Sequence, residues 1–389
     1  MRPIHPFPAR MAPEIVIEEC KSLGASACVL DPMAGSGTVL RVAAESGIAA
    51  IGCDSDPLAV LISSVWTTPV NSEDIVPAAK ELVARADALT PGECTFSWQE
   101  DAETKAFIDF WFANGQRDAL TKLSACLQHQ AGELTDVLRV CLSRLIITKD
   151  AGASLARDVS HSRPHRVRIK NDFDVAGQFI RSAATVARQL DGMPVKRKAT
   201  VMRGDARNLS AVDSGSVDAV ITSPPYLNAI DYMRAHRMSL VWLGYSIPEL
   251  RAIRSGSMGS EKGPDSGQST SSVVSKTEEF AWFAKLPSRE AGLVRRYAAD
   301  IHQMMQEVAR VLKPRGRAVT VIGNSCLRGV YIENSGILEA AADLVGLRCT
   351  NVYARDLPES KRYLPVSSKR AGGDLAKRMR KECVLTFEK

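Results

Sequence analysis

Ala219-Val-Ile-Thr-Ser-Pro-Pro-Tyr-Leu-Asn-Ala-Ile-Asp-Tyr232 is the stretch around which the chain is organised. An apolar β-type run from Val217 to Ile221 leads into it and ends at Ser223-Pro-Pro. Two successive prolines have no N–H to donate and a fixed φ, so the strand stops there and the chain leaves it extended. Ser223 and Tyr226 therefore ride on a stiff loop just past the C-terminal end of a strand, the edge at which open α/β sheets bind ligands. A hydroxyl, free carbonyls and an aromatic face on one rigid loop suit a planar ring bearing an amine. The ring stacks on Tyr226 while carbonyls accept from its NH2.

A second informative stretch lies near the start. Ala27-Cys-Val-Leu30 reads as a short buried strand, followed by Asp31-Pro-Met-Ala-Gly-Ser-Gly-Thr38 and a helix from Val39 to Glu45. Gly47 closes that helix, and Ala49-Ala-Ile-Gly-Cys53 forms a second strand ending in Asp54-Ser-Asp-Pro57. This is one β-α-β unit, for which a right-handed parallel pair is expected. Gly35 and Gly37 permit a tight turn and close approach to a ligand, and the following helix presents free N–H groups. Asp54 stands where nucleoside-binding doubly wound folds place the acid that holds ribose hydroxyls. The glycine spacing is not Gly-x-Gly-x-x-Gly, which argues against a dinucleotide.

Composition narrows the class without choosing within it. The chain has 389 residues, enough for one large α/β domain with an inserted module or for two ordinary domains. No apolar run approaches the ~18 residues of a membrane span, and Met1-Arg-Pro-Ile-His-Pro lacks a signal-peptide core, so a cytoplasmic protein is expected. Nine cysteines without a Cys-x-x-Cys pair form neither a disulfide framework nor a zinc ribbon. His161 and His165 are separated by Pro164, which argues against a shared helical face and a metal site. A net charge of +6 permits a polyanionic partner without requiring one.

Together these stretches resemble a known family. Ser223-Pro-Pro-Tyr226 resembles the signature of the amino-methylating DNA methyltransferases, and Asp31 to Thr38 resembles their S-adenosylmethionine loop. His5-Pro-Phe-Pro-Ala-Arg10 is similar to the segment just before that loop, Gly52-Cys-Asp-Ser-Asp-Pro57 to the ribose turn, and Val201-Met-Arg-Gly-Asp-Ala-Arg207 to the third strand. The likeness covers residues 5–66, 200–245 and, more loosely, 295–389. It implies an α/β fold: a Rossmann-like class I methyltransferase sheet with a largely helical insertion. Residues 1–70 and 199–389 would form the catalytic domain and 71–198 the insertion, a candidate target-recognition module.

The resemblance also implies S-adenosylmethionine as cofactor. Phe7, Pro8 and Ala9 would enclose its methionine moiety; Asp31, Pro32, Ala34, Gly35, Ser36, Gly37 and Thr38 would form its loop. Asp54 and Ser55 would meet the ribose, and Asp205 and Ala206 the adenine. Ser223, Pro224, Pro225 and Tyr226 would be the catalytic set, with no metal. DNA is the expected partner, and a cognate restriction endonuclease a candidate second one.

The rest of the chain is read from pattern. Helices are expected over Ile75–Ala88, Glu103–Phe112, Gln116–His129, Leu134–Thr148 and Val175–Leu190, then Met233–Tyr245, Glu290–Leu312 and Ile337–Leu344. Ser255–Thr277 reads as a Gly/Ser-rich loop, Lys313–Arg317 as the stretch that ends the preceding helix, and Ala318–Gly323 as a strand. Strands near Cys349–Ala354 and Cys383–Phe387 would finish the sheet with an antiparallel hairpin. Arg157–Lys170, Lys196-Arg-Lys198 and Lys369–Lys381 are basic and are candidate phosphate contacts. Trp98, Phe107, Phe110, Trp111 and Phe112 read as helix core rather than as base-stacking platforms.

A base amine is a poor nucleophile because its lone pair is delocalised into the ring. The site must align it with the methyl donor and accept its hydrogen bonds. The Ser223 hydroxyl and Pro224 carbonyl are the candidate acceptors, with Asn228 and Asp231 behind them. Serine at the first motif position resembles cytosine-N4 enzymes more than adenine-N6 enzymes. The chain has no Pro-Cys dipeptide, which argues against cytosine-C5 chemistry. An RNA base-amine methyltransferase and a catalytically silent nucleic-acid-binding module are the alternatives.

Overall fold

Alternating burial along the central strands dictates a layered fold. In the strand that precedes Ser223, Ala219 and Ile221 enter one apolar cluster and Val220 another. Val29 and Leu30 of the first strand divide in the same way. Side chains alternate across a sheet, so both faces must be covered, which is the environment of a parallel α/β sheet. The computed structural model describes residues 2–7, 10–96, 98–148, 152–157, 164–191, 195–227, 232–259, 272–357 and 381–389.

Seven strands form the main sheet: β1 Cys28–Asp31, β2 Ala49–Asp54, β3 Thr200–Arg203, β4 Val217–Thr222, β5 Leu312–Ile322, β6 Arg348–Asp356 and β7 Lys381–Glu388. Their order is β6-β7-β5-β4-β1-β2-β3. All pairs are parallel except those of β7, which runs antiparallel to β5 and β6. This is the Rossmann-like sheet that the resemblance implies, including the expected antiparallel hairpin. The order reverses between β1 and β4, so the loops after these neighbouring strands open at the topological switch point.

Helices α1 Pro13–Lys21 and α2 Thr38–Ser46 cover one face of the sheet. The helix α3 Pro57–Thr67 follows β2. The next helices are α4 Ser72–Ala88, α5 Ala102–Trp111, α6 Asn114–Gln128, α7 Glu133–Ser143, α8 Val175–Leu190, α9 Met233–Leu240 and α10 Ile247–Gly256. Leu58, Ile62 and Trp66 of α3 share one core with α4, α6, α7 and α8 and with Met238 and Trp242 in and after α9. The helices between β2 and β3 are therefore one layer with α3 and α9. The other sheet face is covered by α12 Ser288–Val311 and α13 Asn334–Leu344, with α11 Ser272–Glu278 packed on them. No helix among the described residues is long and apolar enough to cross a membrane.

Several elements depart from expectation for identifiable reasons. The helix α3 has no polar face to mark it: Ser63 and Thr67 donate back to the carbonyls of Ala59 and Ser63 and are buried. Its local signals are the Asp56 cap, which accepts from the Leu58 amide, and Pro57 in the first turn. The Gly/Ser-rich stretch is partly helical: α10 runs to Gly256, and α11 forms because Val273, Val274 and Thr277 are buried. Residues 260–271 lie outside the described part. Lys313–Arg317 follows the end of α12, as expected, but lies inside β5 as a bulge. The register against β4 shifts there, Arg315 has φ 63°, and Lys313 pairs with Asp218 at 2.8 Å. The helix expected over Met233–Tyr245 ends at Leu240 and tightens into a 3₁₀ turn, Val241–Leu243, closed by Gly244 at φ 95°.

One long-range bond joins the halves. Thr222 Oγ1 at the end of β4 donates to Asp31 Oδ1 at the end of β1 over 2.8 Å, and both residues are buried. Removing the donor leaves a buried carboxyl short of a partner. The near-isosteric Thr222→Val should therefore cost about 1–3 kcal/mol, seen as a lowered denaturant midpoint with an unchanged slope.

Candidate active site

The two informative loops meet at one edge of the sheet. Asp31–Thr38 leaves β1 and Ser223–Tyr226 leaves β4, its parallel neighbour. Ala34 N donates to Cys53 O at 2.9 Å and Gly35 N to Asp54 Oδ2 at 2.8 Å, so the glycine loop is laid across the end of β2. Gly37 sits at φ 85°, and a Cβ there would lie 2.7 Å from the Ser63 Cβ of α3. Only glycine lets loop and helix approach this closely. Pro32, Ala34, Ser36 and Thr38 are buried, while Gly35, at φ 50° beneath the Phe7 ring, is half-buried.

Carboxylates crowd this edge. Burial pushes the Asp31 carboxyl up to about 7, against the opposing bonds from Thr222 and the Met33 amide. Burial, then the neighbouring Asp56 charge, pushes Asp54 up to about 6. Burial and the Asp54, Asp205 and Asp31 charges push the Cys53 thiol between them up to about 12. Asp205 differs: burial would raise it, but Arg207 outweighs burial by donating from Nε at 3.0 Å and Nη2 at 2.6 Å, so it lies below the usual range. Both Asp205 oxygens face Arg207, which also reaches Asp300 at 2.6 Å. Ser55 is half-buried between Asp54 and Asp56, and Ala206 is buried. A glycine-walled shelf edged with carboxylates has the chemistry to hold a cationic ligand with hydroxyl and amine donors.

The Ser223 loop is braced on its far side. Ser223 Oγ donates to Val321 O at 2.8 Å, which spends its proton on β5 and leaves its lone pairs as acceptors. Tyr297 of α12 donates to Pro225 O at 3.0 Å, and Ser325 donates to Leu227 O at 2.6 Å. The Tyr226 hydroxyl donates to Glu382 Oε1 of β7 at 3.0 Å. Burial, then the Glu382 charge, keeps the phenol protonated well above its usual range. Its ring lies on Gly323, where a Cβ would come within 2.6 Å of the ring carbons. Pro224 is buried.

Sequence reasoning missed several of these partners. Thr222, Tyr297, Gly323 and Glu382 lie on elements distant in sequence, and no local pattern singles them out. His236 of α9 also escaped notice: its Nδ1 is paired with Asp56 Oδ2, and both side chains are largely buried. The ring of Phe7 lies 5.1 Å from His236 and 5.9 Å from Tyr232. A His four residues after Tyr232, on a short helix behind the proline loop, was the available signal.

Other expectations fall elsewhere. Pro8, Ala9, Asn228 and Asp231 lie outside the described residues, as do 158–163 of the first basic stretch and 369–380 of the last. Lys196-Arg-Lys198 is not beside the Ser223–Tyr226 loop. It precedes β3 at the opposite edge of the sheet, where the Lys196 and Arg197 amides bond Ala44 O and Lys198 pairs with Glu133. Trp98 and Phe112 are core, Phe107 and Trp111 half-buried, but Phe110 is 47% exposed.

Two measurements probe this geometry. Gly323→Ala drives a methyl into the Tyr226 ring; overpacking of this kind costs about 1–3 kcal/mol, and turnover should fall while cofactor affinity, read by calorimetry, is retained. Asp31 and Asp54 have folded pKa values above their unfolded ones, so the stability they contribute is complete below the unfolded values and is lost as pH rises through about 6 and about 7. The melting temperature of the ligand-free protein should therefore fall between about pH 4 and about pH 7; no fall over that range would mean the carboxylates ionise as freely as in the unfolded chain.

No protein-family model matches the chain. It is 22% identical over 401 residues to the type II methyltransferase M.MvaI of Kocuria varians, across 92% of this chain and 84% of that protein. It is 25% identical over 258 residues to the type II methyltransferase M.BsoBI of Geobacillus stearothermophilus, across 58% of this chain and 49% of that one. Among solved structures, a geranyl diphosphate methyltransferase with sinefungin superposes at a TM-score of 0.36 and 9% identity, covering 97% of this chain and 77% of that one. An S-adenosylmethionine-dependent methyltransferase of Methanosarcina mazei gives 0.35 and 10%, covering 98% and 99%. The chain is thus similar to S-adenosylmethionine-dependent type II DNA methyltransferases, and its strand order and the paired loops at the switch point agree with that likeness.

Proposed function

We propose that the protein methylates an exocyclic amine of a DNA base, cytosine N4 in preference to adenine N6. The observation that carries this reading is the Asp31–Thr222 bond, which holds the glycine loop and the Ser-Pro-Pro-Tyr loop side by side on one strand edge. The two type II methyltransferase relatives support DNA as the substrate. Serine at position 223 is the reason for preferring cytosine N4.

The carboxylate edge and the glycine shelf fit S-adenosylmethionine, which supplies an electrophilic methyl on a cationic sulfonium. Phe7, with Pro8 and Ala9, is assigned to the methionine end; Asp31, Pro32, Ala34, Gly35, Ser36, Gly37 and Thr38 to the loop beneath it. Asp54 and Ser55 take the ribose hydroxyls. Asp205, oriented by Arg207, and Ala206 take the adenine edge. On the substrate side, the Ser223 hydroxyl oxygen and the Pro224 carbonyl accept from the amine and draw its lone pair out of the ring. Pro225 keeps the loop stiff. One face of Tyr226 is covered by Gly323, so the opposite face is the one assigned to stack the base. Ser223 is too weak a base to remove the proton beforehand, so the proton leaves to water after transfer. A duplex base reaches this loop only when flipped out of the stack. His236, held by Asp56, is assigned a positioning role between the ribose turn and α9.

Labelled cofactor with duplex DNA or total RNA, followed by nucleoside mass spectrometry, tests the reading. Label in N4-methylcytosine is expected. Label in N6-methyladenine would move the base preference, and label confined to RNA would overturn the substrate. Ser223→Ala and Tyr226→Ala should lower kcat by about 10²-fold or more with cofactor affinity retained, and Asp54→Ala should weaken cofactor binding.

A further inference from the structure

Six large hydrophobic side chains are exposed among the described residues, and three of them, Phe110, Val167 and Ile169, gather at one place on the helical layer. Ile169 is 86% exposed, the most of the six. It belongs to His165-Arg-Val-Arg-Ile-Lys170, in which basic and apolar residues alternate and no acid intervenes. This short rib is fixed at both ends. Val167 N donates to Leu155 O at 3.1 Å, and Leu155 N donates to Trp111 O at the end of α5 at 2.8 Å. On the other side, Asn171 Nδ2 donates to Gly152 O at 2.8 Å. The guanidinium of Arg166 lies 4.7 Å above the Phe110 ring. Arg168, Ile169 and Lys170 thus form the crest between two anchors. Burying an isoleucine ordinarily gains about 1.5–3 kcal/mol; here the chain is held so that this gain is forgone.

The rib is linked to the site through two helices. Phe107 stands one helical turn before Phe110 on α5 and lies 5.0 Å beneath the guanidinium of Arg237. Arg237 follows His236 on α9, the helix that succeeds the Ser-Pro-Pro-Tyr loop.

We propose that the rib is a DNA-contacting wedge: Ile169 enters a base step beside the flipped target, and Arg166 and Lys170 hold the flanking phosphates. Apolar wedges flanked by basic residues are how proteins unstack duplex steps, and basic side chains supply the charge complementarity to phosphate. Flipping a base leaves its neighbours unstacked, and an apolar side chain replaces the lost contact. The assignment rests on the DNA reading above and adds to it the element that opens the duplex.

The test compares methyl incorporation into genomic duplex DNA and into the same DNA heat-denatured, for wild type, Ile169→Ser, Ile169→Leu and Lys170→Ala. Because Ile169 is exposed, Ile169→Ser should melt with wild type. It is expected to lose about tenfold on duplex, given the few kcal/mol that unstacking costs, and less than twofold on denatured strands. Ile169→Leu should restore the duplex rate. Lys170→Ala should weaken duplex binding and lower the slope of its salt dependence by about one. Wild-type duplex activity that Ile169→Ser leaves unchanged, or equal loss on duplex and denatured DNA, would overturn the wedge while leaving the DNA reading intact. Absence of wild-type incorporation into either DNA would overturn both.

Discussion

The site depends on a hydrogen bond between two residues 191 positions apart, the Thr222 hydroxyl and the Asp31 carboxyl. Neighbouring parallel strands carry them, and the bond closes at the point where each chain turns out of the sheet. Displacing one loop relative to the other would orphan a buried acid, a cost comparable to a substantial part of a domain's net stability. The glycine loop is then tied sideways to β2 through Gly35 and Asp54. What results is an edge at which burial, with the charge of neighbouring acids, raises the Asp31 and Asp54 carboxyls above the usual carboxylate range.

The opposite wall is built by a different device. Two prolines cannot donate, so this loop is held almost wholly through what its carbonyls and side chains can do: Tyr297 donates to Pro225 O, Ser325 to Leu227 O, and Ser223 to Val321 O. Asn334 donates to Gly323 O at 2.8 Å and so fixes the floor under Tyr226. Each brace comes from the β5 side of the sheet. Groups held before the substrate arrives need no reorganisation during reaction, which is where such a site gains its advantage over water.

The helical layer is more than an appendage to this edge. Its core runs without a break into α3, which follows the turn after β2, and into α9, which follows the proline loop. Trp98 donates to Val241 O at 2.8 Å, and Arg144 reaches the Ile4 carbonyl just ahead of Phe7. Through Asp56 and His236, the turn after β2 is clasped to α9. A load placed on the layer by a bound polyanion would therefore be felt by both loops, through packed side chains rather than through a linker.

Local chemistry was enough to read the strand–loop–helix order, the two loops that leave β1 and β4, and the antiparallel finish of the sheet. Proline's missing donor, glycine's tolerance of positive φ and the alternation of apolar residues act within a few positions and need no partner. The helix α3 and the bulge in β5 were illegible because burial and cross-strand pairing, not propensity, decide them. Thr222, Gly323, His236 and Glu382 take their meaning from residues that only the strand order brings near. The same order put Lys196-Arg-Lys198 at the edge of the sheet opposite the Ser223–Tyr226 loop. Sequence by itself determined which chemical groups the protein owns and which loops carry them. The tertiary structure decided which of those groups face one another, because contacts across a sheet are set by the stacking order of its strands and not by distance along the chain.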